Sequence, residues 1–312
     1  MKIITKICFI LSMALLLLGV AGIGVGALMG VTPSRLINEG RYPGRLCRLP
    51  KLEVDAPDSI PSLSGNNPTQ SEEYYEFGDI ENLELDLGLC ELQFHTHSED
   101  HIAVCADNTK DYFTCRQSKD TLILKDDRPT LTISDSMKNA LILDIYLPEQ
   151  EYDEIDIDMG AGNITLDLLS ADSFKIDNGA GNVTMHTLTC EDLAVNTGVG
   201  ELQADSLQVS DTADIEVGTG NITISQFAGE NLNLDCGVGN AQVTADGREE
   251  DYDYKVQSGI GSVCLNHQTQ EYTGHHYGFH HEDSSCIESR KGVGRQLSIV
   301  CGMGTAELNF SE

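Results

Sequence analysis

The sequence predicts an all-β protein whose main body is a β-solenoid, like a parallel β-helix or β-roll, with rungs of about 19–20 residues. Three observations lead to this prediction: a repeated Gly-x-Gly, strict alternation of apolar and polar residues around it, and no amphipathic helix pattern after residue 80. Successive copies lie 19, 19, 20, 19 and 22 residues apart, and one more copy follows later. The first glycines of the seven copies are Gly160, Gly179, Gly198, Gly218, Gly237, Gly259 and Gly302.

Each Gly-x-Gly is flanked by residues with the two-residue period of a β-strand. Before the first copy, the apolar Ile155 and Ile157 flank the polar Asp156, and the other copies follow the same order. After the glycines the alternation resumes, with apolar residues inward and mostly Thr or Gln outward. Because a strand with one buried face shows this period, each rung is predicted to be a strand, a glycine corner, a second strand and a short connector.

The glycines are interpreted as corners between strands. Glycine reaches backbone angles that other residues adopt only at a cost, and corners stacked about 4.8 Å apart leave no room for a side chain. A phosphate-binding glycine loop is the alternative. A dinucleotide fingerprint requires a third glycine, a following helix and an acidic residue about 20 residues later, and none of the copies is followed by a helix pattern.

A divergent rung precedes the regular ones. The segment 83–94 keeps the alternation and contains Gly88, but Cys90 takes the place of the second glycine. Four further segments before residue 150 have the composition of strands. They are 102–104, 121–124, 131–133 and 141–145. We expect these strands to cap one end of the solenoid and the insertion after Gly261 to cover the other, since open sheet edges promote aggregation.

The N-terminus carries an apolar segment long enough to cross a membrane. Residues 7–31 contain no charge and follow Lys2 and Lys6, whereas the apolar core of a cleaved signal peptide has about 7–15 residues. We therefore predict an uncleaved transmembrane signal anchor, one helix over residues 1–31; cleavage within 20–22 is the alternative. The order of charge and apolar run predicts a single-pass membrane protein with a cytoplasmic N-terminus and an extracytoplasmic solenoid, although basic residues after the segment favour the opposite orientation.

Residues 32–72 are predicted to be a Pro-rich linker between this anchor and the solenoid domain at 73–312. Six of the eight prolines of the chain lie at or before Pro68, together with Ser, Gly and Asn residues that favour turns. A segment of this composition cannot bury an apolar core and is expected to form a semi-extended stalk.

The chain is strongly acidic, with a net charge of −31. This charge argues against nucleic acid as a partner, because phosphate binding requires a basic surface. Part of the acidity forms one outward column of the repeat, the acidic column, which is interrupted by Asn196 and Gln257. Its members are Asp158, Asp177, Glu216 and Asp235. A solvated face, divalent-cation binding and an acid/base pair acting on a polysaccharide are three interpretations of the column. Catalysis would need one irregular rung, so no catalytic, cofactor or metal residues are assigned and no enzyme is expected.

An Asn follows most of the corners. Asn163, Asn182 and Asn221 each begin an Asn-x-Thr triplet, and Asn240 belongs to the same column. The triplet is an acceptor motif for N-glycosylation. The repeat offers a simpler account, in which Asn side-chain amides stack between rungs and Thr is the outward strand residue.

The ten cysteines contain no Cys-x-x-Cys, so neither a zinc motif nor a thioredoxin-type motif is supported. Cys236 and Cys301 occupy the same position of the repeat, just before the first glycine. Other rungs carry small or apolar residues there, so filling of the core is the simplest account. Disulfides are the alternative for an exported domain.

The least regular segment is the insertion 266–291. His275, His276, His280 and His281 cluster there near two acidic residues, which makes a transition-metal site one interpretation. A polar, aromatic-tipped surface loop is the other. Because loops that interrupt a repeat often carry binding, we expect a specific contact here first.

The rungs resemble a known family. Residues 174–184 and 232–239 are similar to the repeat of the putative adhesin family of bacterial envelope proteins, a domain of unknown function, as are the segment 145–148 and the strand at 299–304. The resemblance covers roughly residues 75–312. It implies a β-solenoid, often membrane-tethered, in Gram-positive bacteria, and some members are linked to envelope-stress responses. The family has no assigned catalytic residues.

These observations together predict a membrane-anchored, adhesin-like binding or scaffold module of a bacterial cell envelope. Its expected partners are the membrane itself, through the N-terminal helix, and a cell-wall polymer or an envelope protein. The alternative is a regulatory component of envelope-stress signalling that acts through a membrane protein partner. A polysaccharide-active solenoid enzyme is a third, less favoured interpretation, and no cofactor is expected.

Overall fold

The computed structural model describes residues 73–127, 140–269 and 285–311. Within these residues the chain forms β-strands and two single 3₁₀ turns, at Lys110–Tyr112 and Glu249–Asp251, and no α-helix. All fourteen strands belong to one sheet. They are β1 (Glu73–Phe77), β2 (Asn82–His97), β3 (Ile102–Asp107), β4 (Phe113–Ser118), β5 (Thr121–Asp126), β6 (Leu141–Pro148), β7 (Glu151–Ala161), β8 (Ile164–Ala180), β9 (Val183–Val199), β10 (Leu202–Asp246), β11 (Asp253–Leu265), β12 (Gln268–Thr269), β13 (Ser285–Ser289) and β14 (Gln296–Ser311).

Each rung of the solenoid consists of a first arm and a second arm that meet at a Gly-x-Gly corner. First arms of successive rungs pair in parallel, so that Ile157 of β7 faces Ile176 of β8, and Ile176 faces Val195 of β9. Second arms pair in the same way, with Ile164 facing Val183. Each of these pairs joins residues 19 positions apart. The sequence period therefore equals one turn of the coil, and the predicted all-β solenoid is confirmed.

The last two rungs do not stack in the order of the sequence. Strand β14 lies between β10 and β11, because Ile299 faces Leu234 on one side and Val256 on the other. The rung with Gly259 is therefore the outermost one, although it precedes the rung with Gly302 in the chain. Both rungs carry the same alternating pattern, so the period alone does not reveal which of them pairs with β10.

Separate strands cover the first end of the solenoid. The first arm of β2 pairs with β7 on one side and β5 on the other, and its second arm pairs with β8 and β6. Antiparallel pairing then adds β4 to β5, β3 to β6 and β1 to β3. The strands predicted at 102–104, 121–124 and 141–145 are thus confirmed, and so is their capping role; the strand predicted at 131–133 lies outside the described residues.

The other end is covered by two short antiparallel strands. On the outer side of β11, Val256 faces Ile287 of β13 and Cys264 faces Thr269 of β12. Strand β13 comes from the insertion that follows Gly261, as predicted. Because antiparallel strands do not continue the parallel stack, this edge is closed to further rungs of the same kind.

The core consists of columns of inward side chains. Five residues before the first glycine, the column holds Phe174, Leu193 and Leu232, all buried. Tyr152 and Tyr252 are buried too, and Tyr252 donates its hydroxyl to the carbonyl of Asp246 at 2.6 Å. Each such apolar side chain contributes roughly 1.5–3 kcal/mol through its removal from water, so the predicted inward positions supply the main driving force for folding.

The corner glycines allow backbones to approach each other. Gly181 has φ +134°, and a Cβ added there would lie 1.8 Å from the carbonyl oxygen of Gly162 in the neighbouring rung. A Cβ on the first glycine, Gly179, would lie 2.4 Å from the oxygen of Gly160. Both glycines of a corner are therefore required, the first by space and the second by space and backbone conformation.

Cys90 replaces the second corner glycine in β2, and the topology explains why. On the outer side, β2 meets two separate strands: β5, which ends at Asp126, and β6, which begins at Leu141. No further Gly-x-Gly corner therefore stacks directly outside this one in the described part of the chain. The glycine is needed in the next rung instead, where a Cβ on Gly162 would meet the oxygen of Cys90 at 1.8 Å.

The Asn side chains after the corners join neighbouring rungs. The backbone N–H of Asn182 donates to Oδ1 of Asn163 at 3.1 Å, and that of Glu201 donates to Oδ1 of Asn182 at 3.0 Å. The same contact joins Asn240 to Asn221 at 3.1 Å, and here Nδ2 of Asn240 also donates to Oδ1 of Asn221. The side chains thus stack between rungs as predicted, mostly through a backbone donor rather than amide to amide.

The substitution Gly181→Ala is expected to lower the free energy of unfolding by more than about 3 kcal/mol, because the new Cβ combines a backbone clash with a strained φ. Urea unfolding of the full chain, followed by circular dichroism, measures this loss.

Gly78→Ala is the matched control, because a Cβ at Gly78 meets no atom within 4 Å. We expect this control to change the free energy by less than about 0.5 kcal/mol. Equal losses in the two variants would contradict the role assigned to the corner.

Candidate functional site

The outward surface of the first arms, called the first-arm face, carries the acidic column. Asp158 faces Asp177 in the next rung, and Asp177 faces Asn196. On the other side Asp158 faces Asp86 of β2. The structure therefore places these predicted members one strand spacing apart and adds Asp86. Sequence reasoning missed Asp86 because its rung lacks the second glycine, although the alternation Leu85-Asp86-Leu87 contained the signal.

Basic and amide side chains interrupt this acidity. Nζ of Lys175 lies 3.3 Å from Asp156 and 2.9 Å from Asp177. Asn196 donates Nδ2 to Asp177 at 2.9 Å. The hydrogen bond from Lys175 in particular holds the pKa of Asp177 below its ordinary value. Over these rungs the acidic column therefore consists of paired charges. This pairing favours the interpretation of the column as a structured polar face.

Cations also pair with the column at its first end, where Lys125 of β5 lies 3.3 Å from Glu84 and 3.7 Å from Asp86. At the other end, Val300 of β14 faces Asp235 on one side and Gln257 on the other, which ends the run of acids. Across the described ranges, no three His, Cys, Asp or Glu side chains come together as a metal site would require.

The outward surface of the second arms, called the second-arm face, holds a row of alternating Asp and His. Nε2 of His95 lies 3.3 Å from Oδ1 of Asp144, and its Nδ1 lies 3.1 Å from Oδ2 of Asp167. Further along the row, Nδ1 of His186 lies 2.7 Å from Oδ2 of Asp205. The sequence analysis did not single out these residues. His95, Asp167, His186 and Asp205 share one position, five residues after the last residue of their corners, and this was a signal that could have found them.

His95 connects the first cap to the regular rungs. Asp144 lies on β6, His95 on β2 and Asp167 on β8, so one imidazole joins three strands. Its hydrogen bond to Asp144, followed by the one to Asp167, raises the pKa of His95 above its ordinary value, against the opposing effect of burial. The His95 ring also packs 4.9 Å from Tyr146 between ring centroids. This cluster can change its charge near neutral pH.

A groove of about 360 Å³ interrupts the first-arm face at the outer end of the solenoid, between β11, β13 and β14. The turn after β13 is fixed by Asp253, whose carboxylate accepts the backbone N–H groups of Lys291 and Gly292. These bonds, first that from Lys291, hold the pKa of Asp253 low. Besides Asp253, the polar side chains around the groove include Asn233, Lys255, Glu288, Ser289, Arg290, Gln296 and Ser298. The arrangement offers amide, hydroxyl, cationic and anionic groups within one concavity.

The middle residues of the corners form an exposed apolar ridge. Val238 faces Met303, and Met303 faces Ile260, in three adjacent rungs. Their exposed fractions are 43%, 47% and 66%, in that order. The middle residue cannot point inward, because the two flanking glycines turn the chain at this point.

Cys236 and Cys301 are neighbours in space, because β14 pairs with β10. Both are buried, so the predicted filling of the core is confirmed for them. Each thiol also donates a hydrogen bond to the carbonyl of a second corner glycine, Cys236 to Gly220 at 3.5 Å and Cys301 to Gly239 at 3.3 Å. Ser258, in the same column, donates to Gly304 at 2.9 Å.

Several predictions concern residues that the structure does not describe. The transmembrane anchor at 1–31, the linker at 32–72 and the cluster of His275, His276, His280 and His281 all lie outside the described ranges. Within 73–127, 140–269 and 285–311, no helix is both long and apolar enough to cross a membrane. The described end of the insertion, residues 285–291, contributes Glu288 and Arg290 to the groove.

Comparison with known sequences identifies the family. Residues 80–275, more than half of the chain, match the family described as Toastrack DUF4097. The chain belongs to this family. The family expected from the resemblance of the rungs is thereby confirmed. The Gly-x-Gly corners from Gly160 to Gly261 lie within the matched region. A search of curated proteins finds no match.

Several solved structures are similar to the chain. A crystal structure described as a putative cell adhesion protein from Clostridium sporogenes is 15% identical, with 78% of this chain and 100% of that chain covered and a TM-score of 0.32. One described as a putative adhesin from Bacteroides fragilis is 13% identical, with 78% and 98% covered and a TM-score of 0.36. One from Parabacteroides merdae is 15% identical, with 78% and 97% covered and a TM-score of 0.30.

The bridge made by His95 predicts a pH-dependent stability. The pKa of His95 is raised in the folded state. Its contribution to the stability of the fold is therefore fully present below the pKa of the unfolded chain, about 6.5, and is lost as pH rises through the pKa of the folded state. His95→Gln is therefore expected to be less stable than the wild type at pH 5.5, and this difference should shrink by pH 9. Urea unfolding across this pH range measures it.

His267→Gln is a suitable control, because the side chain of His267 pairs with Glu307 at 3.0 Å but is 77% exposed. Exposed pairs of this kind contribute little to stability, so its pH dependence should stay close to that of the wild type. A His95→Gln variant with an unchanged pH profile would show that the bridge does not act on stability.

Proposed function

We propose that the protein is a binding module of the bacterial cell surface, whose Toastrack solenoid holds a hydroxyl-rich and anionic cell-wall polymer. The groove between β11, β13 and β14 is the observation that carries this proposal. It is the place where the regular first-arm face becomes concave and gains exposed cations, Lys255 and Arg290, in a chain of net charge −31. Loops and strands that interrupt a repeat are where binding residues concentrate.

The side chains of the groove suit a polymer with hydroxyl and anionic groups. The amides of Asn233 and Gln296 and the hydroxyl of Ser298 can each donate and accept hydrogen bonds. Lys255 and the remaining guanidinium N–H groups of Arg290, whose Nε pairs with Glu288, add charge-assisted donors for phosphate or carboxylate groups.

The sequence features of the N-terminus support the proposed location at the surface. The apolar run at 7–31 is long enough for an uncleaved anchor, and the linker at 32–72 would hold the solenoid away from the bilayer. In this proposal the N-terminus is cytoplasmic and the solenoid extracytoplasmic, and the protein acts as a scaffold rather than as an enzyme.

A second candidate function is regulation of the envelope-stress response through a membrane protein partner. The observation that favours it is the apolar ridge of Val238, Met303 and Ile260, which suits contact with another protein better than contact with a polysaccharide. Cross-linking in cells, followed by identification of the partner, separates the two: a membrane protein as the main product supports regulation.

The double substitution Lys255→Gln with Arg290→Gln is expected to weaken binding to a purified cell-wall fraction about tenfold, because two charge-assisted contacts are lost. Co-sedimentation of the detergent-solubilised full chain with insoluble wall material measures the dissociation constant.

Arg116→Gln with Lys119→Gln is the matched control. Both residues are exposed and lie in and next to β4 at the opposite end of the solenoid, so the control removes the same charge without touching the groove. Equal weakening in both double variants would point to a general charge effect, and absence of wall binding by the wild type would refute the proposal.

A further inference from the structure

The pairing of β14 with β10 brings together two thiols that are 65 positions apart in the sequence. Cys236 faces Cys301 directly in the parallel register. Neighbouring strands are about 4.8 Å apart, and a disulfide joins Cα atoms separated by about 4.4–6.8 Å. Because both residues are inward positions of the same column, their side chains leave the sheet on the same side.

The surroundings keep the two sulfur atoms beside each other. Each thiol donates to a glycine carbonyl at the corner of a neighbouring rung, Cys236 to Gly220 and Cys301 to Gly239. Both residues are fully buried. Cys190, by contrast, faces Ala171 and Val209 in its two neighbouring rungs.

We propose that Cys236 and Cys301 form a disulfide bond that fastens strand β14 to β10 in the exported protein. Both thiols are oxidised by a disulfide donor, either an exported dithiol–disulfide oxidoreductase or a small-molecule disulfide. Two S–H bonds and the donor's S–S bond break, one S–S bond forms in the protein, and the donor leaves as two thiols that carry the two protons and two electrons. The presence of this bond in cells depends on the extracytoplasmic location proposed above. The ability of the two paired thiols to form the bond does not depend on that location.

The bond would stabilise the outer part of the solenoid, where the rungs do not stack in the order of the sequence. Strand β14 lies between β10 and β11, so its position depends on pairing with both. A cross-link across 65 residues restricts the unfolded chain and therefore favours the folded one.

The disulfide has to form before the core around the two thiols is completely packed. Burial raises the pKa of the Cys236 thiol to about 12, and the thiolate is the species that attacks a disulfide. The exchange therefore belongs to the folding stage in which β14 docks, before the core closes over both thiols. Once formed, the bond is shielded from reductants in solution.

Oxidative refolding of the purified full chain tests the pairing by itself. The chain is unfolded and reduced, refolded in a glutathione/glutathione-disulfide mixture, blocked with N-ethylmaleimide and digested. We expect mass spectrometry to find the Cys236 peptide joined to the Cys301 peptide. If both cysteines instead carry the maleimide, the proposal is overturned.

The double substitution Cys236→Ser with Cys301→Ser provides a second readout. Serine fits this column, since Ser258 already occupies it with a hydrogen bond to Gly304 at 2.9 Å. Dithiothreitol added during refolding should lower the urea midpoint of the wild type and of Cys190→Ser, and leave the double variant unchanged. A wild-type midpoint that does not respond to dithiothreitol would contradict the proposal.

Trapping the thiols in intact cells separates this inference from the proposed function. A Cys236–Cys301 bond in cells supports both the disulfide and the exported location. A bond that forms in refolding but is absent from cells supports the pairing and counts against the exported location.

Discussion

Contact between backbones at the corners is the constraint on which the rest of this structure depends. At each of the seven Gly-x-Gly corners, two glycines lie so close to the neighbouring rung that a Cβ on either one would overlap a carbonyl oxygen; at Gly181 this distance would be 1.8 Å. The rungs can stack at strand spacing only because these positions carry no side chain. Parallel register follows from the corner, since a shift by one residue would place an inward side chain where Gly179 now stands and turn the apolar residues outward.

A fixed register leaves the outward positions free to vary. On the first-arm face the acids are separated by Lys175 and Asn196, and on the second-arm face Asp and His alternate around His95. These pairs reduce the repulsion that a chain of net charge −31 would otherwise concentrate in one column. The places with distinct chemistry are the two ends, where the repeat stops and strands from other parts of the chain meet the rungs.

The sequence was sufficient for the solenoid and for the strands that cap it, but not for the stacking order of its last two rungs. Period and alternation are local properties, so the inward columns, the corners and the Asn contacts followed from them. The placement of β14 did not, because its pattern is equal to that of β11 and only three-dimensional pairing distinguishes them. For the same reason the groove, and the approach of Cys236 to Cys301, were not predicted. The Asp–His row around His95 was missed because Asp144, His95 and Asp167 lie on strands that only three-dimensional pairing brings together.

The inserted position of β14 also sets an order of events during synthesis. Rungs from β7 to β10 can each dock on the preceding one in the order in which they are synthesised. The rung at β11 emerges next but has no docking surface, since its neighbour is made 43 residues later. The outer end of the solenoid, with its groove, is therefore completed only when residues 296–311 have been made.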